Sequence, residues 1–168
     1  MQLPITTKRL IIREFTEADA KAFHLTMGDP EVMGRIPGGV SSSVGETRNK
    51  IRKIMKCYQA WGCCMWAIIL RKNGEMIGDC GLMPVEGKGP EIELTYDIAK
   101  EYWNQGYATE ASKACLQFGL EEMGFKRIIA ITFPDHAVSM RVMEKAGMSS
   151  SGKSNYYGQE MVIYEIRN

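Results

Sequence analysis

Two apolar runs, "CCMWAIIL" (Cys63–Leu70) and "EMIGDCGLM" (Glu75–Met83), flank a turn at Asn73-Gly74. No other feature constrains the fold as tightly. Asn-Gly tolerates the positive φ of the tight turns that match strand twist, so this stretch predicts a β-hairpin. After a loop holding Gly87, Gly89 and Pro90, "EIELTYDI" (Glu91–Ile98) extends the pair into a meander. "KRLIIREF" (Lys8–Phe15) alternates apolar and polar residues, as a half-buried strand does. "RIIAITF" (Arg127–Phe133) is nearly continuously apolar, as a strand covered on both faces should be. A last strand is expected over roughly Glu160 to Ile166.

Helices fill the intervals. Thr16 and Asp19 mark the start of one, with Ala20, Phe23 and Met27 on its apolar face. A loop from Gly28 to Ser42 is rich in Gly, Pro and Ser and too long for a plain connector. Ser43 and Glu46 form a capping-box signature for a second helix carrying Ile51, Ile54, Met55 and Tyr58 at helical spacing. A third carries Ala111, Ala114, Cys115 and Phe118 and ends at Gly124. In "PDHAVSMRVMEKAG", Val138, Val142 and Ala146 recur every fourth residue and predict a fourth helix with that stripe buried. The order β-α-α-β-β-β-α-β-α-β predicts an α/β or α+β sandwich with a mixed sheet flanked by helices.

The 168 residues read as one domain, 1–168, long enough to bury a core. Lys and Arg (21) balance Asp and Glu (20), so bulk charge offers no reason to expect nucleic-acid or membrane binding. No apolar run reaches the ~20 residues of a membrane span, and "MQLPITTKRL" lacks the apolar h-region of a signal peptide. A cytoplasmic location is the expectation. Five Cys without a CxxC pair read as reduced, mostly buried thiols. The two His, His24 and His136, lie near no ligand set, so no metal site is expected.

"EYWNQGYATEA" (Glu101–Ala111) places a polar turn and Gly106 at a helix entrance. Consecutive N–H groups in such a turn point into one hollow, and the helix dipole adds partial positive charge. The turn therefore reads either as an anion cradle or as a plain strand-to-helix connection. GxxxxGK[ST] and strand-flanked GxGxxG phosphate motifs are absent.

In Trp103, Gly106 and Ala108 the turn resembles the pyrophosphate motif of the GNAT superfamily of acetyl-CoA dependent N-acetyltransferases. Trp103, Gly106, Tyr107, Ala108, Thr109, Glu110 and Ala111 resemble its Rim-type branch, the ribosomal-protein N-terminal acetyltransferases. "TTKRLIIREFTEADA", "WAIIL", "GEMIGDCGL" and "SMRVMEKAGM" extend the likeness, in order, over most of the chain. The resemblance implies a mostly antiparallel sheet splayed between the fourth and fifth of these strands, a bulge near the splay, and acetyl-CoA as co-substrate. It assigns cofactor contacts to Tyr96, Asp97, Ile98, Asn104, Gln105, Gly106, Tyr107, Ala108, Thr109, His136 and Ser139. Asn104 stands where the branch has Gly, though Asn tolerates left-handed backbone; His136 stands where it has Asn.

Acetyl transfer to an amine needs a neutral amine, a stabilised oxyanion and a proton for the departing thiolate. Glu93 falls at the Glu of the branch's strand pattern, and alternation groups it with Glu91, Thr95 and Asp97 on one face. Glu93 is the expected base, with Glu91 as the alternative and a solvated sheet face as the plain reading. The resemblance implies an oxyanion-binding N–H near Leu94 to Tyr96. It puts Met143 where many members have a proton-donating Tyr, leaving Ser139 as the expected donor; otherwise Ser139 is a helix-capping hydroxyl. The acceptor is expected to be a primary amine, of a protein N-terminus or a small molecule, met by the loop Gly28–Ser42, the second helix and the loop around Tyr156-Tyr157. Asp29, Glu31 and Glu46 are too sparse there to suggest a polycation. A non-catalytic acyl-CoA binding domain is the rival expectation, kept alive by Asn104, His136 and Met143. A homodimer is compatible with the sequence.

Overall fold

The computed structural model describes residues 3–36 and 38–168. Its strands are β1 (Ile5–Thr6), β2 (Leu10–Arg13), β3 (Met65–Leu70), β4 (Met76–Pro84), β5 (Ile92–Ile98), β6 (Arg127–Thr132), β7 (Ser149–Tyr156) and β8 (Gln159–Arg167). They form one sheet in the order β1-β2-β3-β4-β5-β6-β8-β7. All neighbours are antiparallel except β5 and β6, which are parallel.

The predicted hairpin is β3–β4, with Trp66 opposite Cys80 and Ala67 opposite Asp79. Gly78 lets β5 close on β4: a Cβ there would stand 2.0 Å from the Asp97 carbonyl oxygen. The helices are α1 (Ala20–Met27), α2 (Pro30–Met33), α3 (Val44–Trp61), α4 (Tyr107–Gln117) and α5 (Ala137–Lys145). On one face of the sheet Phe23, Met27, Ile51 and Ile54 of α1 and α3 pack on Ala67 and Ile69. On the other, Ala111, Cys115, Leu116 and Met143 of α4 and α5 pack on Trp66, Ile68, Leu82 and Leu94. Apolar burial on both faces is what drives the layers together. All five Cys are free and, apart from the half-buried Cys57, buried.

The splay lies where the family resemblance put it. β5 meets β6 at a single register pair, Glu93 opposite Ile129, and the strands then part. The expected bulge in β5 is absent, however. The β4–β5 ladder runs unbroken from Gly78–Ile98 to Pro84–Ile92, so the gap opens by divergence of β6 alone.

Three further expectations need correction. The Gly28–Ser42 stretch is not loop throughout: Asp29 accepts a hydrogen bond from the Glu31 N–H at 2.8 Å and caps the short helix α2, with Pro30 at its first position. β7 was not expected, because "SSSGKSNY" has no apolar alternation; it is an edge strand with almost every side chain exposed, paired only to β8. In α5 the buried side chains are Ser139, Met143 and Ala146, while Val138 is 60% exposed. Both stripes end at Ala146, the C-cap, so the buried face is turned from the expected one by less than the ~100° of one residue position.

Candidate active site

Glu93 sits where β5 and β6 part, on the sheet face shared with Met83, toward α1 and α3. It is 5% exposed, and its Oε2 accepts the Tyr157 hydroxyl at 2.6 Å. Burial pushes its carboxyl up to about 7, with the Tyr157 hydrogen bond opposing the rise. Glu91, the alternative base, is engaged otherwise: it pairs with Arg127 and accepts the Tyr156 hydroxyl at 2.8 Å. The two glutamates of one face therefore differ, one structural and one poised to titrate near neutrality.

Tyr96 projects from the opposite face, toward α5. Its hydroxyl lies 2.7 Å from Ser139 Oγ and 3.1 Å from the Ser139 carbonyl. Burial raises the Tyr96 phenol, so it stays protonated. Ser139 is thus a side-chain partner of Tyr96 rather than a simple cap, and Met143 is buried one turn later. Ile98 is buried and its carbonyl accepts the Trp103 indole N–H at 2.7 Å. Asp97 faces Asp79 across the β4–β5 ladder. Burial lifts Asp97 to about 6 against the pull of Lys50, and lifts Asp79 well above the carboxylate range. Among the described residues neither Asp79 oxygen has a hydrogen-bond partner.

The turn after β5 has the geometry of an anion cradle. Asn104 adopts φ +59 and Gly106 φ +79, so Asn104 takes up the left-handed conformation its replacement of Gly required. Gly106 is the N-cap of α4 and brings no side chain to satisfy the N–H groups of Tyr107, Ala108 and Thr109. Those donors and the helix dipole fit a pyrophosphate. The Tyr107 side chain itself is core: it is 7% exposed, beneath the Arg9 guanidinium. Gln105 contributes its carbonyl to Arg9 Nη1 at 2.9 Å and its side-chain amide to the Glu101 carbonyl at 2.9 Å. His136 lies across the splay at the N-cap of α5, Nδ1 3.4 Å from Thr132 Oγ1. Desolvation and Arg35 hold its imidazole below the usual range, so it is neutral at pH 7.

Several contacts around the candidate site lay beyond local sequence signals. Glu110 accepts from Thr7 Oγ1 (2.6 Å), the Arg9 N–H (2.9 Å) and Arg9 Nε (2.6 Å), tying the chain's start to the cradle. The α2 segment crosses the splay: Glu31 pairs with Lys100 after β5 at 2.6 Å, and Arg35 with Asp135 after β6 at 2.9 Å. Arg35 also stacks on Phe133. Nothing in the sequence pairs residues so far apart.

Residues 9–149 match the family model described as Acetyltransferase (GNAT) domain. The chain belongs to the GNAT family. It is 36% identical over 152 residues to the uncharacterised N-acetyltransferase YnaD of Bacillus subtilis, covering 88% of this chain and 84% of that protein. A crystal structure of a GNAT-family acetyltransferase from Bacillus anthracis superposes with a TM-score of 0.83 at 32% identity, covering 97% of each chain. RimL, a ribosomal L7/L12 alpha-N-protein acetyltransferase solved with coenzyme A, shares the fold at TM-score 0.81 and 18% identity, over 98% of this chain and 97% of that one. The protein is accordingly a GNAT acetyltransferase that uses acetyl-CoA, which answers the choice between an enzyme and a binding-only domain. Among the described residues no helix is long and apolar enough to cross a membrane.

Proposed function

We propose that this GNAT enzyme transfers acetyl directly to a primary amine, of a protein N-terminus or a small molecule, with Glu93 as general base. The observation that carries this reading is the placement of two proton-handling groups on opposite faces of one strand beside the splay. Glu93 faces the side covered by α1 and α3, and the Tyr96–Ser139 pair faces α5. When bound, acetyl-CoA supplies a thioester carbonyl open to attack. The cradle Asn104–Thr109 would hold its pyrophosphate, with His136 alongside as a neutral hydrogen-bonding group. The β5–β6 register stops at Glu93 among the described residues, which supports an outward β5 N–H near Leu94 to Tyr96 as the oxyanion donor.

A free alkyl amine is mostly protonated at neutral pH, its pKa being about 10. Glu93, titrating near 7, accepts that proton and leaves the neutral amine to attack. Ser139, hydrogen-bonded to Tyr96, holds a proton for the departing sulfur. The N-terminal-amine acceptor is suggested by the fold shared with RimL. The test is a mass-spectrometric screen of N-terminal peptides and small amines with isotope-labelled acetyl-CoA, followed by pH profiles on the best acceptor. Glu93→Gln should lower kcat and remove the acidic limb while leaving acetyl-CoA affinity intact. An acidic limb that survives in Glu93→Gln refutes Glu93 as the base.

A further inference from the structure

The β7–β8 hairpin turns through Tyr157 (φ +53) and Gly158 (φ +76). Positive φ at both central positions defines the type I′ turn, whose usual first residue is Asn, Asp or Gly. A tyrosine in left-handed backbone is strained, and strain of this kind persists where surrounding contacts enforce it. Here the hydrogen bonds come from one place. The Tyr157 N–H donates to Glu86 Oε1 at 2.8 Å, the Tyr156 hydroxyl to Glu91 Oε2 at 2.8 Å, and the Tyr157 hydroxyl to Glu93 Oε2 at 2.6 Å. Strand β7 is exposed almost throughout, so besides the packing of Tyr156 against Val85, Ile129 and Ile163 this tip is fastened by polar bonds to the start of β5 and the turn before it.

We propose that Tyr157 is a positioning residue that holds Glu93 in its proton-accepting form and orientation, which makes the hairpin tip part of the acceptor-side machinery. The proposal rests on the reading of Glu93 as the base. A phenol donates a stronger, charge-assisted hydrogen bond to a carboxylate than to the carbonyl of a neutral carboxylic acid, so the bond favours ionised Glu93. It therefore works against the burial that otherwise keeps Glu93 protonated. The phenol cannot surrender its own proton instead, because burial and the adjacent Glu93 charge raise it. The bond uses Oε2, and among the described residues no hydrogen bond reaches Oε1, which is left to take the proton of the amine. Tyr156 is the internal control: it has the same side chain and comes from the same tip, but its partner is Glu91 in the Arg127 ion pair.

The experiment follows the Glu93 carboxyl by carbon-13 NMR titration in ligand-free wild type, Tyr157→Phe, Tyr157→Asn and Tyr156→Phe, beside pH profiles of kcat/KM. Tyr157→Asn suits the turn while deleting the phenol. Tyr157→Phe, which keeps the ring over Glu93, should shift the Glu93 titration upward by roughly one pH unit, the equivalent of one charge-assisted hydrogen bond. Tyr157→Asn also lets water in, which opposes the rise, so its upward shift should be smaller. The acidic limb of kcat/KM should move with it, costing about tenfold in rate at acidic pH and much less on the alkaline plateau. Tyr156→Phe should leave the Glu93 titration in place. A Glu93 titration unmoved in both Tyr157 variants overturns the proposal. An NMR shift without a moving limb, together with a limb retained in Glu93→Gln, overturns the base assignment instead.

Discussion

A stability measurement tests the state of Glu93 independently of catalysis. Its carboxyl rises from an ordinary 4.5 to about 7 in the folded protein, chiefly through burial. Between those values the folded protein retains a proton that the unfolded chain has released, so unfolding free energy falls as pH rises. Below the lower value both states are protonated and no penalty exists; above the upper value the penalty is complete. At 1.36 kcal/mol per pH unit, the full penalty is about 3 kcal/mol, and the 5% exposure of Glu93 leaves little solvent screening to reduce it. Gln at this position cannot ionise and can still accept the Tyr157 hydroxyl. Urea unfolding of wild type and Glu93→Gln between about pH 4 and about 8.5 gives the difference directly. Asp79 and Asp97 titrate in both proteins and cancel. The variant should gain about 3 kcal/mol on wild type from the acidic to the alkaline end, the inverse of its expected loss of activity. A stability difference independent of pH would refute the buried, poised state of this carboxyl.

Two other perturbations address the cradle and the α2 segment. Glu110→Gln should weaken the three hydrogen bonds from Thr7 and Arg9. Because Arg9 is 39% exposed and partly screened, the expected loss is about 1 kcal/mol of stability and up to roughly tenfold in acetyl-CoA affinity by calorimetry; an unchanged Kd would uncouple the latch from the cradle. Arg35→Ala cuts a solvent-exposed ion pair with Asp135, so the unfolding midpoint should hold. The acceptor KM should rise and become less sensitive to salt, whereas an unaltered KM would remove α2 from the acceptor wall.

Much of this protein was legible from local chemistry. The Asn73-Gly74 turn and its apolar flanks specified the β3–β4 hairpin, and the stripes of α1, α3 and α4 named their own buried faces. Gly106 marked the helix entrance, and the family pattern around it named the cofactor. These features depend on backbone preference and periodicity, which act over a few residues. Where the signal was weak the reading slipped. β7 buries no apolar face and so leaves no alternation, and two adjacent stripes of α5 differ only in how the helix docks.

Only tertiary structure decided which glutamate is poised. Glu91 and Glu93 are indistinguishable in an alternating strand, until folding sets Arg127 beside the first and buries the second under Tyr157. Sequence alone established the carboxylates on one face of β5. Burial and the hydrogen-bond partners that folding brings decided their proton affinities, because a charge's free energy depends on what solvates it. For Glu93 that solvent is a phenol sixty-four residues along the chain.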